Sequence, residues 1–144
     1  MKRSYSALLF LLFILAGVVC PSPKLEDLVA VRKAVAPKAY PPLASAAMIK
    51  GTVKIEVKID SEGSVTAAKI LEGHKLLHDV SKDAALRWKF ARSTEGKERT
   101  ATLMVTFVHW TERKEEERGT TSFIPPYEIE LVGGTPLLQK ESIP

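Results

Sequence analysis

His74 and His78 stand four residues apart. On a helix that spacing brings both imidazoles to one face, where they can hold a metal ion. A metal centre needs at least a third donor, and Glu72, Asp79 and His109 are the side chains on offer. No spacing fixes any of these beside the pair, so the histidines read as polar residues at a helix entry. Ser81 and His78 do not make a nucleophile with its base, because no third group is there to orient them. Glycine-rich phosphate loops and paired buried carboxylates are not recognisable. The chain therefore reads as a non-enzyme without a cofactor. A metal-dependent enzyme is the weaker reading, and zinc analysis of the purified protein exposes it.

Cys20 is the other residue with chemistry of its own. As the sole cysteine it excludes an internal disulfide. It closes an apolar run from Ala7 to Val19 that follows Lys2 and Arg3. A bilayer-spanning helix needs about 20 apolar residues, and a secretory signal needs fewer. The run suits a signal, so the protein is expected to be exported. Gly17, Val18 and Val19 are a weak match to an acylation signal, which leaves Cys20 a weak lipid-attachment candidate. A cleaved signal, a lipoprotein and a short uncleaved anchor all fit residues 1–20.

The elements that must position any site come next. A chain of 144 residues, 45% of them hydrophobic, holds one domain besides a targeting segment. Its net charge of +4 is modest, and Lys54, Glu56, Lys58, Asp60 and Glu62 mix both signs along one strand. That is a solvated face and no nucleic-acid stripe. Residues 21–36, with Pro21 and Pro23, read as a linker. Pro41 and Pro42 stiffen an elbow, and a short helix from Leu43 to Met48 follows, stopped by Gly51.

From Gly51 to Asp60 the sequence GTVKIEVKID alternates Val53, Ile55, Val57 and Ile59 with polar residues, which predicts a strand with one buried face. Asp60 to Gly63 is a tight turn. Ser64 to Leu71 returns as a second strand, with a bulge expected near Ala67 and Ala68. Leu77, Val80, Ala84 and Trp88 predict a helix ending between Trp88 and Phe90, with Ser81, Asp83 and Arg87 outside. A third strand is expected from Thr100 to Trp110. The fold class is then α+β: a small antiparallel sheet of three strands, with Tyr127 to Val132 as candidate fourth, and two helices on one face. Residues 111–144 read as a charged loop and tail.

The ordered set Tyr40, Pro41 and Pro42, then GTVKIEVKID, Gly63 to Val65, Gly73 to Leu77, Ala84 and Ala85, Trp88 to Phe90, and Val105 to Phe107 resembles the TonB C-terminal domain over residues 37–110. The resemblance implies a periplasmic module that captures an extended segment, the TonB box, of an outer-membrane transporter in support of energy-dependent transport. Capture would be by strand addition, through main-chain pairing at a sheet edge. It assigns the partner-binding edge to the third strand, Ala101, Thr102, Leu103, Met104, Val105, Thr106, Phe107 and Val108, with Tyr40 and Pro41 at the elbow. Tyr40 would pack on the sheet or meet the ligand. An ExbB–ExbD proton motor and a second copy of the chain are further candidate partners. The alternative is a structural or lipid-anchored envelope protein whose sheet edge is self-capped or self-associating.

Departures from the family pattern bear on motor coupling. The apolar run carries no His, and the linker reaches at most ~60 Å. Ala39 stands where Gln is frequent, and Ala91 where Pro is usual. The tail bears on binding. A strand from Tyr127 to Val132 lying beside the third strand would fill the ligand's slot. Deleting residues 119–144 should then raise affinity for a TonB-box peptide, and an unchanged titration would discard that idea.

Overall fold

A computed structural model of the chain describes residues 28–134. The expected signal or anchor over residues 1–20 and Cys20 lie outside them. Seven strands and two α-helices follow in order: β1 Val31–Lys33, α1 Pro42–Ala46, β2 Gly51–Ile59, β3 Val65–Glu72, α2 His78–Leu86, β4 Lys89–Phe90, β5 Arg99–His109, β6 Thr121–Ile124 and β7 Glu128–Gly133.

The strict alternation in β2 does what its period dictates. Val53, Ile55, Val57 and Ile59 are fully buried, while Thr52, Lys54 and Lys58 face solvent. β2 and β3 form a hairpin across Asp60–Gly63, where Gly63 N–H bonds Asp60 C=O and the Asp60 carboxylate accepts from Ser64 N–H. Register shifts fall on both sides of the expected place, next to Thr66 and Leu71. β5 pairs antiparallel along all of β2, and Ala101, Leu103, Val105 and Phe107 join the same buried face. α2 covers that face over β2 and β3.

The α+β class stands, and the sheet is larger than the three or four antiparallel strands expected. Five strands run in the order β3-β2-β5-β7-β6, and β1 pairs with β4 in a separate ribbon. β7 lies parallel to β5, so the main sheet is mixed. The helix also ends earlier than its spacing predicts. α2 stops at Leu86, and Trp88 follows it as a fully buried side chain whose indole N–H donates to Val35 C=O at 2.8 Å. Ser81, expected outside, is buried with Ala84 and Ala85. These small residues let the helix sit close to the sheet, and bulk is then supplied by Leu77 and Trp88 on either side.

From Leu28 onward the stretch expected as linker runs along the domain. Val29 is buried, Val31 and Lys33 pair with β4, and Ala30 C=O accepts from Ala91 N–H. The histidines at the entry to α2 are engaged locally. His74 Nδ1 accepts from Leu76 N–H, and His78 Nε2 bonds Gly73 C=O at 2.9 Å.

Two backbone positions decide local stability in opposite directions. At the end of α1, Met48 N–H bonds Ser45 C=O and Ile49 N–H bonds Ala44 C=O, a Schellman closure that puts Met48 at φ 53°. A side chain in the left-handed region costs ~1–2 kcal/mol, and a glycine there costs about 0.5–1 kcal/mol in chain entropy. Met48 is mostly exposed, so little packing offsets the strain. Met48→Gly should therefore stabilise the fold by about 0.5–1 kcal/mol. Gly63 sits at φ 90° with the Phe90 carbonyl oxygen 2.1 Å from where a Cβ would stand. Gly63→Ala should cost about 2 kcal/mol or more. Urea titration of both variants reads the two signs.

Candidate partner-binding edge

In a strand, alternate residues direct their N–H and C=O groups to the same edge. Met104 N–H bonds Tyr127 C=O at 2.9 Å, so Thr100, Thr102, Met104, Thr106 and Val108 direct their backbone groups toward β7. The parallel ladder runs from Met104 opposite Glu128 to His109 opposite Gly133. Met104, Val105, Thr106, Phe107 and Val108 thus have their expected binding edge occupied by the chain's own tail. Ala101, Thr102 and Leu103 lie beyond the end of β7. Beside this uncovered end opens a cavity of about 600 Å³, lined by Leu28, Val29, Arg92, Lys97, Arg99 and Thr100 among others.

β7 is held by side chains as well as backbone. Tyr127, Ile129, Leu131 and Val132 are buried. Fully covering side chains of this kind contributes ~1.5–3 kcal/mol each, on the order of 6–12 kcal/mol together. That rivals the whole stability of a typical domain, so β7 does not leave the edge without a replacement. On the opposite face, Thr106 Oγ1 donates to the Glu128 carboxylate at 2.8 Å and shares a 2.9 Å hydrogen bond with Thr52 Oγ1. Arg113 Nη2 reaches both Glu130 carboxylate oxygens at 3.1 Å.

Tyr40 packs on the sheet, one of the two roles expected of it. It is buried, its ring meets Phe107 edge-on with centroids 5.4 Å apart, and its hydroxyl donates to Ile49 C=O. Gly133 lies against it so closely that a Cβ would stand 3.0 Å from the ring. The elbow therefore props up β5 and β7 from below. Pro41 is half-buried at the N-cap of α1, where its C=O accepts from Ser45 N–H. Trp88 and Phe90 sit in the core as aromatic anchors, with Phe123 of β6 and Tyr127 packed on their rings at 6.1 Å.

β6, the hold of residues 28–33 on the domain, and the Arg113–Glu130 contact have no counterpart in the sequence reading. The run Thr121 to Ile124 ahead of Pro125 and Pro126 carries β-forming residues before a turn signal. That signal could have marked β6, but four residues give a period nothing to repeat.

With this geometry in place, comparison with known proteins is decisive on one point. Residues 36–109 match the family described as the C-terminal domain of the Gram-negative bacterial TonB protein. The chain belongs to the TonB C-terminal family. The family unit is a non-enzymatic protein-interaction domain concerned with envelope transport. The match ends at His109, the last residue of β5, so β6, β7 and the Arg113 loop lie outside the matched residues. No curated protein matches the sequence. Among the described residues of this TonB-family chain, no helix is long and apolar enough to cross a membrane.

Two phenol rings bridge the TonB unit and its flanks, Tyr40 against Gly133 and Tyr127 against Phe90. Burial pushes the Tyr40 hydroxyl above its ordinary value, and Glu112 adds to the rise. Burial also raises Tyr127, partly offset by its bond to Val29 and by the Arg99 charge. The Tyr127 hydroxyl accepts from Val29 N–H and donates to Val29 C=O. In the unfolded chain both phenols ionise near pH ~10, earlier than in the fold. Their contribution is intact below that pH. It is lost as pH rises from about 10 through the folded-state values, because the unfolded chain releases its protons first. Unfolding titrations between about pH 9 and 11 should show stability falling, and Tyr40→Phe with Tyr127→Phe should flatten the slope at a cost of about 1–3 kcal/mol near neutrality.

Proposed function

We propose that this chain is an exported, TonB-type protein-binding module of the bacterial periplasm. It takes up an extended segment of an outer-membrane transporter by strand addition, in support of energy-dependent transport. The observation that carries the reading is that β5 already accepts an added strand. β7 comes from outside the family unit, and it docks on the family unit's border strand through a parallel main-chain ladder. A partner strand using Ala101 to Val108 would meet an open edge at Thr100 to Leu103. It would replace β7 from Met104 onward. Tyr40 and Pro41 serve this edge by supporting it, and the main chain carries the contact.

The second reading, an envelope protein with a permanently self-capped edge, draws its support from the buried Tyr127, Ile129 and Leu131. The two separate by calorimetric titration of the purified chain with the N-terminal segment of a TonB-dependent transporter. Saturable binding is expected, and placing proline at alternate positions of the peptide should abolish it, since proline removes the main-chain donors a ladder needs. Absence of binding, or equal binding of the proline peptide, would leave self-capping as the function.

A further inference from the structure

The strand that occupies the edge also describes what the edge accepts. Along β7, Glu128 and Glu130 alternate with Ile129 and Leu131. Ile129 and Leu131 are 2% and 7% exposed and complete the core face. Glu128 is met by Thr106, whose hydroxyl is oriented by Thr52, and Glu130 is gripped on both oxygens by Arg113. Thr106 belongs to the family unit, whereas Arg113 and the hairpin lie beyond its end at residue 109. The cation that reads the acid and the strand that bears it thus occur together outside the matched residues.

We infer that β7 is a tethered stand-in for the partner strand, and that Thr106 and Arg113 select acidic residues at alternate positions of an extended segment running parallel to β5. The inference rests on the strand-addition reading and adds to it the partner's chemistry: acid, aliphatic, acid, aliphatic, with the aliphatic side chains turned to the core. Only such a segment restores the burial and the polar contacts that β7 gives up, so only such a segment competes. The tether raises the hairpin's effective concentration. The affinity seen by a free peptide is the intrinsic affinity scaled by the fraction of chains whose edge is open.

The test uses the full chain with Cys20→Ser and the pair Met104→Cys and Glu128→Cys, which stand opposite each other in the ladder. Neighbouring strands lie ~4.8 Å apart, a separation a disulfide spans. The probes are the synthetic peptide PYEIELVG, copied from residues 126–133, and the same peptide with lysine in place of its second glutamate. In the reduced form, where the Thr106 bond to the hairpin is also gone, the first peptide should bind. Oxidation should lower its affinity at least about tenfold, and a reductant should restore it. Introducing Arg113→Glu should reverse the order of the two peptides by about tenfold. Binding that is indifferent to the cross-link, or Arg113→Glu acting alike on both peptides, would overturn the inference, as would no binding in the reduced form. Should the cysteine pair fail to fold, Arg113→Glu in the otherwise native chain must still prefer the lysine peptide. A transporter segment that binds the cross-linked and reduced chains equally would remove this proposal while leaving strand addition at another edge intact.

Discussion

β5 has two edges, and the fold is organised by the need to satisfy both. Its buried residues place the strand in the middle of the hydrophobic face, where backbone groups cannot be left to water. One edge is consumed by β2 from Arg99 to Phe107. The other is closed by β7 only from Met104 onward. Everything distinctive about the chain follows from how that second edge is finished. The TonB match ends at His109, and the hairpin beyond it meets this edge.

Finishing the edge requires a route as well as a strand. After His109 the chain passes residues 110–120 to reach the outermost position as β6, then turns back to place β7 between β6 and β5. The second strand of the hairpin is the inner one, which is why its pairing with β5 is parallel. Short ties then hold the assembly to the N-terminal stretch. Tyr127 bonds Val29, and Trp88 bonds Val35, two contacts that convert residues 28–36 from a tether into part of the wall. Tyr40 closes the base by touching Phe107 on β5 and Gly133 on β7 together.

What was legible in the sequence was whatever repeats locally. β2 announced itself through four aliphatic residues at period two, and the turn at Gly63 through its own chemistry. β7 was visible as Tyr127, Ile129 and Leu131 alternating with glutamates. Its neighbour and direction were not, since the same alternation serves a parallel or an antiparallel partner. The helix boundary failed because Trp88 continues the spacing of Leu77 and Ala84 while lying past the last helical turn. A buried side chain just after a helix satisfies the same period as one within it. Ser81 failed for a related reason. Its polarity argued for solvent, but its small size is what the close approach of α2 requires.

The site was least legible where it matters most, and the reason is physical. Main-chain pairing leaves side chains free to serve packing, so Leu103, Val105 and Phe107 look like any strand core and nothing in their identity marks a border. The charged cluster after Trp110 looked like solvent-facing decoration, and most of it is: Lys114 and Glu116 face water. Arg113 differs because a second glutamate strand has been brought within its reach by a pairing that sequence periodicity cannot register. Exposed ion pairs contribute little to stability, generally below about 1 kcal/mol. The value of Arg113 in this arrangement is therefore discriminatory. It costs the fold little to keep, and it penalises any strand that offers the wrong charge at that register.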